Sequence, residues 1–214
     1  VFKSTDGATR WSAVNVGLSA SASFPSPVSV VTLAIDPRPP TTLYAGTFLY
    51  GLFKSTDGGA SWSRTSLSSP IIQAVAIDPS APTTLYAATL TSGVFKSTNG
   101  AANWAELNTD ITVPLGKFAN TTVPLGNFAL TLAIDPSATA TLYLGTAAAG
   151  VLKSTNGGAT WSAVNTGLRN GSISALAVDP SAPTTLYAGT NGSGVFKSTN
   201  GGASWSAVNT GLTS

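Results

Sequence analysis

Short apolar runs punctuated by turn residues dominate the chain. In the last unit, Ser174-Ala175-Leu176-Ala177-Val178 reads as a first strand. Asp179-Pro180 ends it, because proline has no N–H to give to a ladder. Thr185-Leu186-Tyr187-Ala188-Gly189 reads as a second strand, Gly194-Val195-Phe196-Lys197-Ser198 as a third, and Ser204-Trp205-Ser206-Ala207-Val208 as a fourth. Apolar side chains fall on both faces of the second and third strands, which predicts sheets covered on both sides. No stretch sustains a 3.6-residue period, so helices are not expected.

The same order of segments recurs along the chain. The Lys-Ser-Thr segment places lysines at 3, 54, 96, 153 and 197, with steps of 51, 42, 57 and 44 residues. The unit is therefore 42 to 44 residues, with two insertions. Asp-Pro turns recur at Asp36, Asp78, Asp135 and Asp179, and Leu-Tyr segments at Tyr44, Tyr86, Tyr143 and Tyr187. Residues 151–168 and 195–212 differ at only two of 18 positions. Four strands per unit, repeated, predict an all-β propeller of four-stranded antiparallel blades. A β-solenoid is the runner-up, but its coils are shorter and lack this hairpin rhythm.

Each unit also carries a hairpin motif. Ser55-Thr56-Asp57-Gly58-Gly59-Ala60-Ser61-Trp62 resembles the Asp-box, or bacterial neuraminidase repeat, and recurs at 4–11, 97–104, 154–161 and 198–205. These boxes contain all five tryptophans: Trp11, Trp62, Trp104, Trp161 and Trp205. The resemblance covers nearly the whole chain and implies a propeller in which the box joins the third and fourth strands of a blade. Families of this kind include sialidases, xyloglucan-cleaving hydrolases, sortilin-like receptors and a photosystem assembly factor, so fold alone selects no activity. Asp6 and Asp57 occupy the acidic position in two boxes, and Asn99, Asn156 and Asn200 replace it in three. Asn keeps the acceptor oxygen and loses the charge, which suits a turn brace and weakens a Ca²⁺ site. The boxes are therefore expected to be structural, with each indole folded under its hairpin and its N–H partnered.

The expected layout is one domain over 1–214: a half blade at 1–18, full blades at 28–67, 71–109, 129–168 and 172–212, and an inserted loop at 110–128. About five blades result, the first incomplete. Val1 reads as a processed or truncated N-terminus, and the half blade as part of a longer chain or of a protomer completed by its neighbour. Propeller topology puts the Asp-Pro turns and boxes on one face. The variable second-to-third turns and blade connections go on the other, where recognition is expected. Candidate ligand- or partner-binding residues there are Phe24, Phe48, Tyr50, Lys117, Phe118, Phe128 and Arg169. The insertion is itself a small duplication, Thr112-Val113-Pro114-Leu115-Gly116 echoed by Thr122-Val123-Pro124-Leu125-Gly126, and suggests a hairpin serving as lid or contact surface. The repeated lysines read as a solubility and edge-protecting ring, and the aspartates before proline as braces of their own turns.

Composition narrows the chemistry. Cysteine, histidine and methionine are absent, which excludes thiol catalysis, imidazole or thiolate metal sites and Ser-His-Asp triads. Charged residues are 8% of the chain, against a usual share of roughly 25%. The net charge of +2 is spread singly, so nucleic acid is not an expected partner. No apolar run reaches the roughly 20 residues that a helix needs to span a bilayer. Sialidase-like catalysis needs three arginines on one carboxylate, and only Arg10, Arg38, Arg64 and Arg169 exist, in dissimilar places. Glu106 and Asp110 are the sole candidate pair of carboxylates for glycoside hydrolysis. The reading is a non-catalytic, extracellular or cell-surface module without cofactor or metal. Its expected partners are copies of itself or another surface protein, with a surface layer or fibre as one form. The alternative is a glycan-binding propeller or an Asp-box glycoside hydrolase.

Overall fold

The computed structural model describes residues 1–19, 28–38, 40–107, 129–169 and 171–212, with the backbone of 111–112 and 122–123. The described residues are all-β, in four four-stranded sheets and two two-stranded ones. Blade I is a hairpin of β1 (Phe2–Lys3) and β2 (Ser12–Ala13). Blade II contains β3 (Val30–Ile35), β4 (Leu43–Thr47), β5 (Leu52–Ser55) and β6 (Ser63–Arg64). Blade III contains β7 (Ile72–Ile77), β8 (Leu85–Thr89), β9 (Gly93–Ser97) and β10 (Ala105–Glu106). The insertion contributes β11 (Ile111–Thr112) and β12 (Thr122–Val123), paired Ile111 to Val123, so the expected hairpin exists at its base. Blade IV contains β13 (Ala129–Ile134), β14 (Leu142–Thr146), β15 (Val151–Ser154) and β16 (Ser162–Ala163). Blade V contains β17 (Ile173–Val178), β18 (Leu186–Thr190), β19 (Gly194–Ser198) and β20 (Ser206–Ala207).

Strands pair antiparallel with their sequence neighbours, so each blade is a meander. The first strands pack side by side in the order β3, β7, β13, β17, which places them innermost and fans the blades around them. Each first strand breaks register once, after Val30, Ile72, Ala129 and Ile173. A bulge of this kind bends and twists a strand. The core is divided among the blade interfaces: Leu18, Ala45, Phe53 and Trp62 meet between blades I and II. Tyr143, Val151, Ile173, Phe196 and Trp205 meet between blades IV and V.

The two faces separate as the strand order requires. In every full blade a box glycine bonds the Asp-Pro turn of its own blade, Gly58 N to Thr41 O, Gly100 N to Thr83 O, Gly157 N to Ala140 O and Gly201 N to Thr184 O, each at 2.8 Å. On the opposite face the second-to-third turns bond the blade connections, as Gly150 N does to Gly171 O at 2.8 Å and Asn191 N to Ser172 O at 3.1 Å.

Candidate functional site

The boxes are built from two side-chain acceptors. In box II the Asp57 carboxylate takes the Ser61 N–H at 2.9 Å, and the Ser55 hydroxyl takes the Gly59 N–H at 2.9 Å. The serine then donates to Asp57 at 2.7 Å, closing the turn. Boxes III, IV and V repeat the bonds with Asn99, Asn156 and Asn200, and box I with Asp6. This serine brace was visible in the sequence as an invariable first box residue, yet attention to the acid missed it. Asp and Asn interchange because the next hydroxyl turns round. Ser61 donates to Asp57, whereas Thr160 and Ser204 accept from Asn156 and Asn200. The Ser61 hydroxyl and N–H, with Ser55, hold the Asp57 carboxyl down at about 2. Bonds from the Arg10 N–H and the Ser4 hydroxyl lower Asp6 in the same way.

The lysines differ from the sequence reading. Lys3, Lys54 and Lys153 do not stand in a solvated ring; each bonds the next blade. Lys3 Nζ donates to Gly58 O at 3.0 Å, Lys54 to Gly100 O at 2.9 Å and Lys153 to Gly201 O at 3.0 Å. The stems lie over tyrosines of their own blades, with Nζ 5.6 Å from the Tyr44 ring centre and 5.3 Å from those of Tyr86 and Tyr143. A cation on an aromatic face beside an aligned carbonyl is an attractive arrangement. These three lysines are interblade latches.

The indoles obey a second rule set by the connectors. Trp62 Nε1 donates to Val14 O at 2.9 Å and Trp205 Nε1 to Val164 O at 2.8 Å, each in the preceding blade. Both connectors read Asn-x-Gly-Leu, at 15–18 and 165–168. Gly17 (φ +85°) and Gly167 (φ +90°) lie against the carbonyls of Trp62 and Trp205, where any Cβ overlaps them. At the same distance from their tryptophans, blades II and III carry Ser66-Leu67-Ser68-Ser69 and Asn108-Thr109-Asp110-Ile111, neither with the glycine. After them Trp104 Nε1 and Trp161 Nε1 are buried with no partner among the described residues, where a partner for each indole is expected. Trp11 departs differently and is 59% exposed.

A hollow of about 580 Å³ opens where the second connector departs from the rule, lined by Ser66–Pro70, Ser92, Phe95, Asn103 and Trp104. It combines an aromatic wall with hydroxyl groups and a buried indole donor.

The three described variable-face candidates, Phe48, Tyr50 and Arg169, are not gathered into one site. Phe48 is exposed in the turn of blade II and pairs with Ile71. Tyr50 is half-buried against the Leu18, Phe53 and Trp62 cluster, so it is no open stacking platform. Arg169 is exposed in the connection between blades IV and V. Phe24, Lys117, Phe118 and Phe128 lie outside the described residues, as does Asp110. Glu106 is exposed on β10, opposite Phe95. Arg38 donates to the Pro79 carbonyl and Arg64 to the Tyr50 carbonyl at 2.8 Å, so these two serve backbone and do not converge. The aspartates before proline brace their turns as expected, Asp78 taking Ser80 N at 2.8 Å and Asp179 taking Ser181 N at 2.9 Å. Among the described residues no group of three acidic side chains stands together as a cation site.

No family model matches the sequence. No curated protein matches it either. Solved structures do match. An ancestral GH74 enzyme superposes with a TM-score of 0.64 at 25% identity, over 84% of this chain and 24% of that one. The GH74 xyloglucanase of Xanthomonas campestris gives 0.58 at 15% identity, over 92% of this chain and 40% of that one. YCF48 from Cyanidioschyzon merolae gives 0.58 at 15% identity, over 86% and 56%. The chain thus spans about a quarter of the length of the first of these and a little over half of the last. Its meandering four-stranded blades, fanned on their first strands, make it a β-propeller chain similar in fold to the GH74 enzymes and YCF48.

Proposed function

We propose that the chain is a non-catalytic scaffold, working outside the cell or at its surface as a structural or protein-interaction module. One observation carries this reading: its repeated polar side chains are committed to holding blades. The box serines and Asx residues brace hairpins, and Lys3, Lys54 and Lys153 bond the next blade. Glycoside hydrolysis needs two carboxyl groups about 5–10 Å apart across a cleft. Glu106, the one glutamate, is exposed on the outer strand β10. The test is prolonged incubation with xyloglucan and other β-glucans, reading new reducing ends. None are expected; release that disappears in Glu106→Gln would refute the reading.

A glycan-binding role is the second reading, favoured by the likeness to GH74 enzymes and by the hollow over Trp104. Indole and hydroxyl groups are suitable partners for a sugar ring and its hydroxyls. It predicts co-sedimentation with an insoluble glycan that Trp104→Ala abolishes. Equal retention of the variant and the unsubstituted chain counts against it.

A further inference from the structure

Five asparagines are followed by glycine: Asn99, Asn156, Asn170, Asn191 and Asn200. Such a step readily loses its amide nitrogen, because glycine has no Cβ to keep its backbone nitrogen away from the neighbouring carboxamide. The chemistry needs only water. The glycine nitrogen gives up its proton and forms a bond to the asparagine Cγ. The Cγ–Nδ2 bond breaks, and ammonia leaves with that proton. Water then opens the five-membered imide at either carbonyl, giving aspartate or isoaspartate. Two conditions control the first step: the glycine N–H must be free to ionise, and the carboxamide must be free to turn back onto it.

Three of these steps lie in boxes, and there both conditions fail. Gly100, Gly157 and Gly201 donate their N–H groups to Thr83 O, Ala140 O and Thr184 O, each at 2.8 Å. The carboxamides are turned towards the residue four places on. Oδ1 of Asn99, Asn156 and Asn200 accepts the N–H of Asn103, Thr160 and Ser204, each at 2.9 Å. It also accepts the hydroxyls of Ser97 at 3.0 Å, Ser154 at 2.9 Å and Ser198 at 2.9 Å. Nδ2 of Asn156 and of Asn200 donates to Thr160 Oγ1 and Ser204 Oγ at 2.8 Å. These bonds must break before the glycine nitrogen meets Cγ, so the reaction waits for the hairpin to open locally. The two products differ in consequence. Aspartate restores the brace seen at Asp57, whereas isoaspartate puts an extra carbon into the backbone of the turn.

Asn191 stands in a different setting, while Asn170 lies outside the described residues. With Gly192, Asn191 forms the exposed tip of the turn between β18 and β19. In blades III, IV and V the threonine Oγ1 that opens this turn takes the N–H just past the tip, from Ser92 at 2.9 Å, Ala149 at 2.8 Å and Ser193 at 3.2 Å. That bond passes over the central residue, Thr91, Ala148 or Gly192, and all three are exposed. The exposure of Gly192 therefore comes from its place within a blade and is shared by blades III and IV. No described residue accepts the Gly192 N–H. We propose that the fold gates deamidation in this protein: Asn191 converts in the folded chain, and Asn99, Asn156 and Asn200 convert only when their hairpins open. The inference goes beyond the scaffold reading and does not depend on it.

The experiment incubates the chain in warm, mildly alkaline buffer, once folded and once in denaturing urea, with tryptophan fluorescence confirming the state of each sample. Aliquots are digested under mildly acidic conditions. Mass spectrometry of the fragments then reads, at each asparagine, the exchange of the amide NH2 for OH. Heavy-oxygen water during the incubation marks only the conversion that occurs there. In the folded chain Asn191 is expected to convert roughly tenfold or more faster than Asn99, Asn156 and Asn200. In urea all four share the same Asn-Gly chemistry, so the box rates should rise and become comparable with that of Asn191. Box asparagines that convert in the folded chain as fast as Asn191 overturn the proposal. An Asn191 as slow as the boxes overturns it too, as do box rates that urea leaves unchanged.

Discussion

Blades are matched in size where their second and first strands meet, and the matching makes a quantitative prediction. Gly145 faces Ile173 of the next blade: a Cβ there would lie 2.5 Å from Thr131 Cγ2 and 2.8 Å from Ile173 Cγ2. Gly46 faces Ile72 in the same way, at 2.7 Å. At the junction of blades III and IV the corresponding residues are Ala88 and Ala129, both buried. Small beside large and medium beside medium keep the volume constant. Carbon atoms are at ease near 3.5–4.0 Å, so Gly145→Ala forces a shift of about 1 Å in a close-packed interior. Overpacking of this kind costs about 1–3 kcal/mol, offset by ~0.4–1 kcal/mol of lost unfolded-state freedom, because Gly145 lacks a positive φ. The net expectation is a loss of about 1–2 kcal/mol. Ile173→Ala alone opens a cavity and costs about 2–5 kcal/mol. The double variant frees the Ile173 side of position 145, as Ala129 does beside Ala88, while Thr131 stays where blade III has Ala74, so it should lie above the sum of the singles by more than the ~0.3–0.5 kcal/mol of ordinary non-additivity. Gly189→Ala is the control: its Cβ would meet Ala175 Cβ at 3.4 Å, and it should be neutral or slightly stabilising. Urea unfolding followed by tryptophan fluorescence measures all four. Additive singles, or Gly145→Ala as benign as the control, would refute the argument.

Three further outcomes follow from the braces and latches. Lys54→Met keeps the stem over Tyr44 and removes the bond to Gly100 O, so denaturant unfolding should register a loss of about 1–3 kcal/mol. Trp62→Phe strips a hydrogen bond from Val14 O, whereas Trp104→Phe removes a donor that has no partner among the described residues; thermal melting should therefore fall further for the first. Asp57 is lowered from 3.8 to about 2, so its contribution is present above the unfolded value and fades as pH falls from 3.8 through 2. Carbon-detected NMR titration of that carboxyl should give a midpoint near 2, Asp57→Asn should remove this residue's share of the pH dependence while keeping the hairpin, and a midpoint at 3.8 would contradict the brace.

The sequence by itself determined whatever is local. Alternation, Asp-Pro stops and box turns act over a few residues, so strands, hairpins, blade order and the division of turns between two faces were all legible. The Asx braces were legible too, because Asp57 and Ser61 are four residues apart. Tertiary structure decided the rest. Lys3, Lys54 and Lys153 became latches, and Trp62 and Trp205 found acceptors, through bonds between residues 41 to 55 positions apart. A lysine at a strand end looks alike in sequence whether it meets water or a neighbour's carbonyl. Only the fanning of blades brings that carbonyl within reach, and only the path of each connector determines whether an indole meets its oxygen.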